Sequence, residues 1–135
     1  MMAEQKKRLI LIVDDEANVG KSIRKTLLCD AYEVDAVLSG EEALRLEETK
    51  KHEVILLDLM MPGLSGMGLL KSLRAKNPSA RIIIITGYPT AKTAVQSMEF
   101  GAFEFLPKPF LPADIRGQVA RALAALDLEG RSQGE

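Results

Sequence analysis

The sequence predicts an α/β fold, a doubly wound five-stranded parallel sheet with helices on both faces, from three observations. Five apolar runs rich in β-branched or bulky residues alternate with five amphipathic segments. Two of the runs, residues 9–13 and 54–57, are unbroken, as strands buried on both faces of a parallel sheet have to be. The alternation is strict, and βαβ units close with right-handed crossovers that place helices on both faces.

Each element follows from its own residues. The first strand is read over 9–13 and the first helix over 18–28. The second strand, 33–38, differs from the others. Val34, Ala36 and Leu38 alternate there with Glu33 and Asp35, the pattern of an edge position or of one wetter face. Ser39 then offers a hydroxyl cap to a helix over 40–48, with Glu41 and Glu42 in the first turn, where the helix dipole favours acids. The third strand, 54–57, leads to a helix over 66–76 that Asn77-Pro78 closes. The fourth, 82–85, leads to a helix over 90–100 closed by Gly101. A fifth strand over 104–106 and a helix over 112–128 complete the pattern. The domain is read as residues 8–129. Residues 1–7 and 130–135 are polar and are expected to be flexible termini or the start of a linker.

Composition narrows the function. The 135 residues suit one domain with a sizeable core. A net charge of -1 lacks the basic surplus that direct nucleic-acid binding requires. No apolar run reaches the roughly 18 residues of a membrane span, so a soluble cytoplasmic protein is expected, with no membrane partner. The single Cys29 is expected inside a helix as a small buried apolar residue. The single His52 stands among Lys50, Lys51 and Glu53 and is read as a solvated loop residue.

Chemistry concentrates at strand ends. Asp58 ends the third run, and Asp14 and Asp15 end the first. Ligand sites of open α/β sheets lie beyond the carboxyl ends of strands, so neighbouring first and third strands would bring the three acids together. Such a cluster repels itself unless a cation neutralises it. A hard divalent ion with oxygen ligands, Mg²⁺ above all, is the natural partner. Lys108 and Thr86, at the ends of two further runs, add a fixed positive charge and a hydroxyl. The set suits an anionic group beside a metal.

Asp14-Asp15-Glu16, Asp58-Leu59-Met60-Met61-Pro62-Gly63, Thr86-Gly87 and Lys108-Pro109-Phe110 together resemble the response-regulator receiver domain of two-component signalling, over about residues 8–128. The resemblance implies a flavodoxin-like (βα)5 sheet in the order 2-1-3-4-5. It makes Asp58 the phosphoacceptor, Thr86 and Lys108 its catalytic partners, and Asp14, Asp15, Asp58 and the Met60 carbonyl the Mg²⁺ ligands. Thr86 and Phe105 become a switch pair acting on the surface of the fourth helix, fifth strand and fifth helix. Met60 and Tyr88 would flank the entrance and tune hydrolysis, and the Lys108-Pro109 peptide would be cis. A sensor histidine kinase or phosphotransfer protein is implied upstream, and an effector domain or protein downstream. A homodimer formed on phosphorylation also fits. The protein would catalyse only its own phosphorylation and dephosphorylation.

Two other functions are weighed. An aspartate-nucleophile phosphatase of the haloacid-dehalogenase kind carries a second acid two residues after its nucleophile, where this chain has Met60. A degenerate receiver serving as a constitutive binding module usually lacks an acid or the lysine, and this chain keeps all of them.

Overall fold

The computed structural model describes residues 6–61 and 66–134. The chain runs β1 (Arg8–Val13), α1 (Ala17–Thr26), β2 (Tyr32–Val37), α2 (Gly40–Thr49), β3 (Val54–Asp58), α3 (Gly66–Lys76), β4 (Arg81–Thr86), α4 (Ala91–Glu99), β5 (Glu104–Pro107) and α5 (Pro112–Gly134). All strand pairs are parallel, and the sheet order is β2-β1-β3-β4-β5, as the resemblance implied. β2 takes the edge that its alternating pattern predicted, with only Val34 of its residues buried.

Period-two side-chain alternation splits the apolar residues between two cores. Ile10, Ile12, Val54, Leu56, Ile83 and Ile85 face Ile23, Ile115, Val119 and Leu123, the buried stripes of α1 and α5. Leu11, Val13, Ile55, Leu57, Ile82 and Ile84 face Ala43, Leu69, Leu70 and Leu73 of α2 and α3. Each fully buried Leu or Ile contributes roughly 1.5–3 kcal/mol, so the three central strands are the rigid frame on which the strand ends sit.

Caps fix the helix boundaries. Ser39 Oγ accepts from the Glu42 N–H at 3.1 Å, as predicted. Thr90 and Thr93 close a reciprocal capping box on α4, at 3.0 and 3.2 Å. Gly101, with φ at +96°, ends α4 in the left-handed region where a side chain would be strained. Gly66 opens α3 against the backbone of Leu59, and a Cβ there would lie 2.4 Å from the Leu59 carbonyl oxygen.

Three expectations are corrected and one is refined. α1 stops at Thr26, so Cys29 lies in the α1–β2 connection and is exposed rather than buried. α5 continues past residue 128 to Gly134, where the helix was expected to end, and runs on through Gly130 despite its poor helix propensity. His52 is buried, held by polar partners from three other parts of the chain. Lys108 pairs with Asp58 at 3.5 Å, as the resemblance implies, but its closest ion pair is with Asp14, at 2.9 Å. The expected Pro62-Gly63 turn lies outside the described residues, as do residues 1–5 and 135 of the termini.

Candidate functional site

The parallel register sets the ends of β1, β3, β4 and β5 side by side. Val13 pairs with Leu57, Asp58 with Ile85, and Thr86 with Pro107. The residues leaving those strands therefore meet on one rim. Asp14, Asp15 and Asp58 offer carboxylate oxygens that all lie within 4.8 Å of one another. Asp14 and Asp58 are buried and Asp15 is exposed, so the cluster has a dry floor and a wet mouth.

Lys108 reaches into the cluster from the end of β5. Its Nζ donates to Asp14 Oδ2 at 2.9 Å and lies 3.5 Å from Asp58 Oδ2 and 3.7 Å from Glu16 Oε1. Both acids turn Oδ2 toward Lys108, since the Oδ1 of each is engaged by a backbone N–H. The Lys108-Pro109 bond is cis, as expected.

One local device pins all three buried side chains of the rim. Asp14 Oδ1 accepts from the Glu16 N–H at 2.9 Å, Asp58 Oδ1 from the Met60 N–H at 3.0 Å, and Thr86 Oγ1 from the Tyr88 N–H at 3.1 Å. Each is a side-chain turn spanning two residues, which fixes a rotamer without consuming a second side chain. Sequence reading gave Met60 a carbonyl role and did not find these N–H donors. The signal was present in the residue types, since Asp and Thr are the residues that form such turns.

The electrostatics are unbalanced. Burial pushes the Asp58 carboxyl above its ordinary value; the Met60 N–H opposes this, the nearby Asp14 charge adds to it, and Lys108 opposes it. Burial alone would lower the Lys108 ammonium, but its hydrogen bond to Asp14 and the surrounding acids hold it above the ordinary lysine value. One ammonium thus serves three carboxylates of the floor and mouth. The donor set, hard oxygens on an open rim with negative charge in excess, is that of a divalent-cation site completed by water.

Phe105 is half-buried against the α3-side core and pairs with Ile84, two residues before Thr86. Thr86 and Phe105 consequently share a sheet face. Met60 and Tyr88, two residues after Asp58 and Thr86 respectively, are 55% and 72% exposed.

A family profile described as the response regulator receiver domain matches residues 10–120. The chain belongs to that family. Among proteins similar to this receiver, the alkaline phosphatase synthesis transcriptional regulatory protein PhoP of Bacillus subtilis is 32% identical over 123 residues, 91% of this chain and 51% of that protein. A probable transcriptional regulator ycf27 of Porphyridium aerugineum is 32% identical over 90% of this chain and 50% of that protein. The receiver spans about half the length of these relatives. Among solved structures, a CheY-like receiver domain from Methanospirillum hungatei superposes with a TM-score of 0.88 at 29% identity, covering 93% of this chain and all of that one. A response regulator from Burkholderia pseudomallei, described with a phosphorylated aspartic acid, calcium ion and citrate, gives 0.77 at 31% identity over 90% of this chain and 75% of that one. Receiver domains are signalling modules, and no helix among the described residues is long and apolar enough to cross a membrane.

Proposed function

We propose that the chain is a phosphorylation-controlled switch in which Asp58 accepts a phosphoryl group. The observation that carries this reading is the convergence of Asp58 with Asp14 and Asp15 within 4.8 Å, beside Lys108. An Asp58 carboxylate oxygen attacks phosphorus in line, and the leaving group keeps the electron pair: the P–N bond of a phosphohistidine whose other ring nitrogen already carries a proton breaks to give neutral imidazole, or the P–O bond of an acyl phosphate breaks to give a carboxylate. Asp14, Asp15, Asp58 and the Met60 carbonyl would hold Mg²⁺, which supplies charge cancellation on the phosphoryl oxygens when bound. Lys108 then exchanges a carboxylate contact for a phosphoryl oxygen, and the Thr86 hydroxyl donates to another. Thr86 already accepts from the Tyr88 N–H, so its own proton is free to make that bond.

Movement of Thr86 toward the phosphoryl group leaves room on the face it shares with Phe105. That biases a packing equilibrium of α4, β5 and α5 toward one arrangement. The phosphodonor is a sensor histidine kinase or a phosphotransfer protein, the output is an effector domain or partner protein, and the cytoplasm is the working compartment. The transcriptional names of the relatives and the phosphorylated aspartate of the Burkholderia pseudomallei structure support this reading.

Labelling with acetyl phosphate tests it. Wild type should acquire an acid-stable, base-labile phosphoryl group on Asp58, dependent on Mg²⁺ and absent from Asp58→Asn. Equal labelling of that variant, or labelling indifferent to chelator, would defeat the proposal. Turnover of many equivalents of donor with no phosphoprotein formed would favour a phosphatase instead.

A further inference from the structure

At the opposite end of β3 from Asp58, a second cluster of ionisable groups is buried and takes no part in phosphoryl chemistry. Glu47 of α2 and His52 of the α2–β3 connection are essentially inaccessible, and Asn77 after α3 is 7% exposed. His52 Nδ1 faces Glu47 Oε2, and His52 Nε2 lies 2.8 Å from Asp35 Oδ2 on β2. Glu47 Oε1 accepts from the His52 N–H at 3.2 Å and from Asn77 Nδ2 at 2.8 Å. Asn77 Nδ2 also donates to the His52 carbonyl at 2.7 Å. Four parts of the chain are tied through His52 and Glu47: the ring joins β2 to α2, and Asn77 adds the α3–β4 connection through Glu47 and the His52 carbonyl.

Both ring nitrogens face carboxylates, and this decides the protonation state. A neutral imidazole has one donor and one acceptor nitrogen, so it would set a lone pair against one of the two acids. An imidazolium donates to both. We propose that Glu47, His52 and Asp35 form a proton-dependent clasp, closed while His52 is doubly protonated and opened on its Asp35 side when that proton leaves. Asp35 is the side that opens because it has a substitute partner. Lys50 Nζ lies 2.7 Å from Asp35 Oδ2, and Asp35 is partly exposed. Glu47 is fully buried and has no cation other than the ring within ion-pair distance among the described residues, so the remaining N–H stays on Nδ1.

The charged groups around the clasp are Asp35 and Glu33 of β2, Glu47 and Glu48 of α2, Lys50 and Lys51 of the connection, and Lys76 of α3. Lys50 pairs with Glu33 as well as Asp35, Lys76 pairs with Glu48 at 3.0 Å, and Lys51 donates to the Lys76 carbonyl. Those lysines are spoken for by other acids or stand on the solvent side, which leaves the ring as the internal counter-charge of Glu47. Burial alone would lower the imidazole's pKa; the hydrogen bonds to Glu47 and Asp35 outweigh it, and the net effect is a pKa above the ordinary 6.5. The stabilisation is therefore complete below about pH 6.5 and is lost as pH rises through the folded value. Within that window the folding constant falls up to about tenfold per pH unit.

His52 is the chain's one histidine, so its ring ¹⁵N signals are unambiguous in the full 135-residue protein. At pH 6 both nitrogens should appear protonated, and raising the pH should deprotonate Nε2 first while amide exchange quickens around Asp35. Urea unfolding from pH 6 to 10 should show an alkaline loss of stability in wild type. Asp35→Asn, whose amide can donate to a neutral ring, should lower the ring's titration and shrink that loss on a folded background. A ring that carries one unprotonated nitrogen at pH 6, including a neutral ring accepting a proton from Glu47, would overturn the clasp. So would an alkaline profile identical in wild type and Asp35→Asn.

Discussion

Replacing Asp58 with asparagine should stabilise the metal-free domain and at the same time weaken its response to Mg²⁺. The amide keeps the shape and the acceptor that the Met60 N–H uses, and removes one charge. That charge interacts with an Asp14 oxygen no more than 4.8 Å away and with the Lys108 ammonium at 3.5 Å. At an effective dielectric near 20 each pair is worth about 4 kcal/mol, one repulsive and one attractive, so the two nearly cancel. Burial of Asp58, with screened repulsion from Asp15, then decides the sign. Because Asp58 is held above its ordinary value, the folded state favours the protonated acid. The stability this lends is present below the unfolded value and is lost as pH rises through the folded one, so at pH 7 the ionised side chain is a net cost.

Removing it should gain on the order of 1 kcal/mol, or a Tm about 4 °C higher in a domain of this size. Saturation reverses the order. At Mg²⁺ twentyfold over its Kd wild type gains about 1.8 kcal/mol, whereas the variant has lost a ligand charge and gains less. Thermal unfolding followed by circular dichroism, in EDTA and then in Mg²⁺, should show the two proteins exchanging places. An Asp58→Asn protein less stable than wild type in EDTA, or stabilised equally by Mg²⁺, would refute the electrostatic account of the site.

Lys108→Ala should cost about 2–3 kcal/mol at pH 7, less than the full penalty for an orphaned buried charge because Lys108 keeps some exposure; the loss should shrink as pH falls and Asp58, whose carboxyl is held above its ordinary value, takes up its proton, as a series of urea titrations from pH 7 downward would reveal. Thr86→Ala should leave Mg²⁺ binding intact while a beryllofluoride mimic no longer shifts the NMR signals of Phe105 and α4; shifts that persist would assign the relay to another residue. Gly66→Ala should lose about 2–3 kcal/mol in urea unfolding, since the added methyl meets rigid Leu59 backbone at 2.4 Å, and a neutral result would mean that α3 opens differently in solution.

The strands and helices were legible because each rests on local information, whereas the strand order, and with it the acidic rim, came from the family resemblance. Apolar runs give strands, caps and terminators give helix ends, and β2's alternation marks an edge. The rim follows from register alone once the strands are in order. His52 was illegible for the opposite reason: its neighbours Lys50, Lys51 and Glu53 look solvated, and its decisive partners lie 17 residues upstream at Asp35 and 25 downstream at Asn77. The one local signal was Glu47, four residues after buried Ala43 on the same stripe of α2, where the helical period calls for an apolar side chain. Cys29 failed through a boundary, because the amphipathic pattern runs two residues past the true end of α1 at Thr26.

The three side-chain turns on the rim divide labour within single residues. Glu16, Met60 and Tyr88 supply the fixed part of the site through their N–H groups, while their side chains are 67%, 55% and 72% exposed, Glu16 keeping a 3.7 Å contact with Lys108. Any amino acid but proline provides the same N–H. The side chains at Met60 and Tyr88 can thus be exchanged without unsettling Asp58 and Thr86 beneath. Proline at any of the three would do the reverse, releasing a buried side chain while leaving the surroundings almost unaltered.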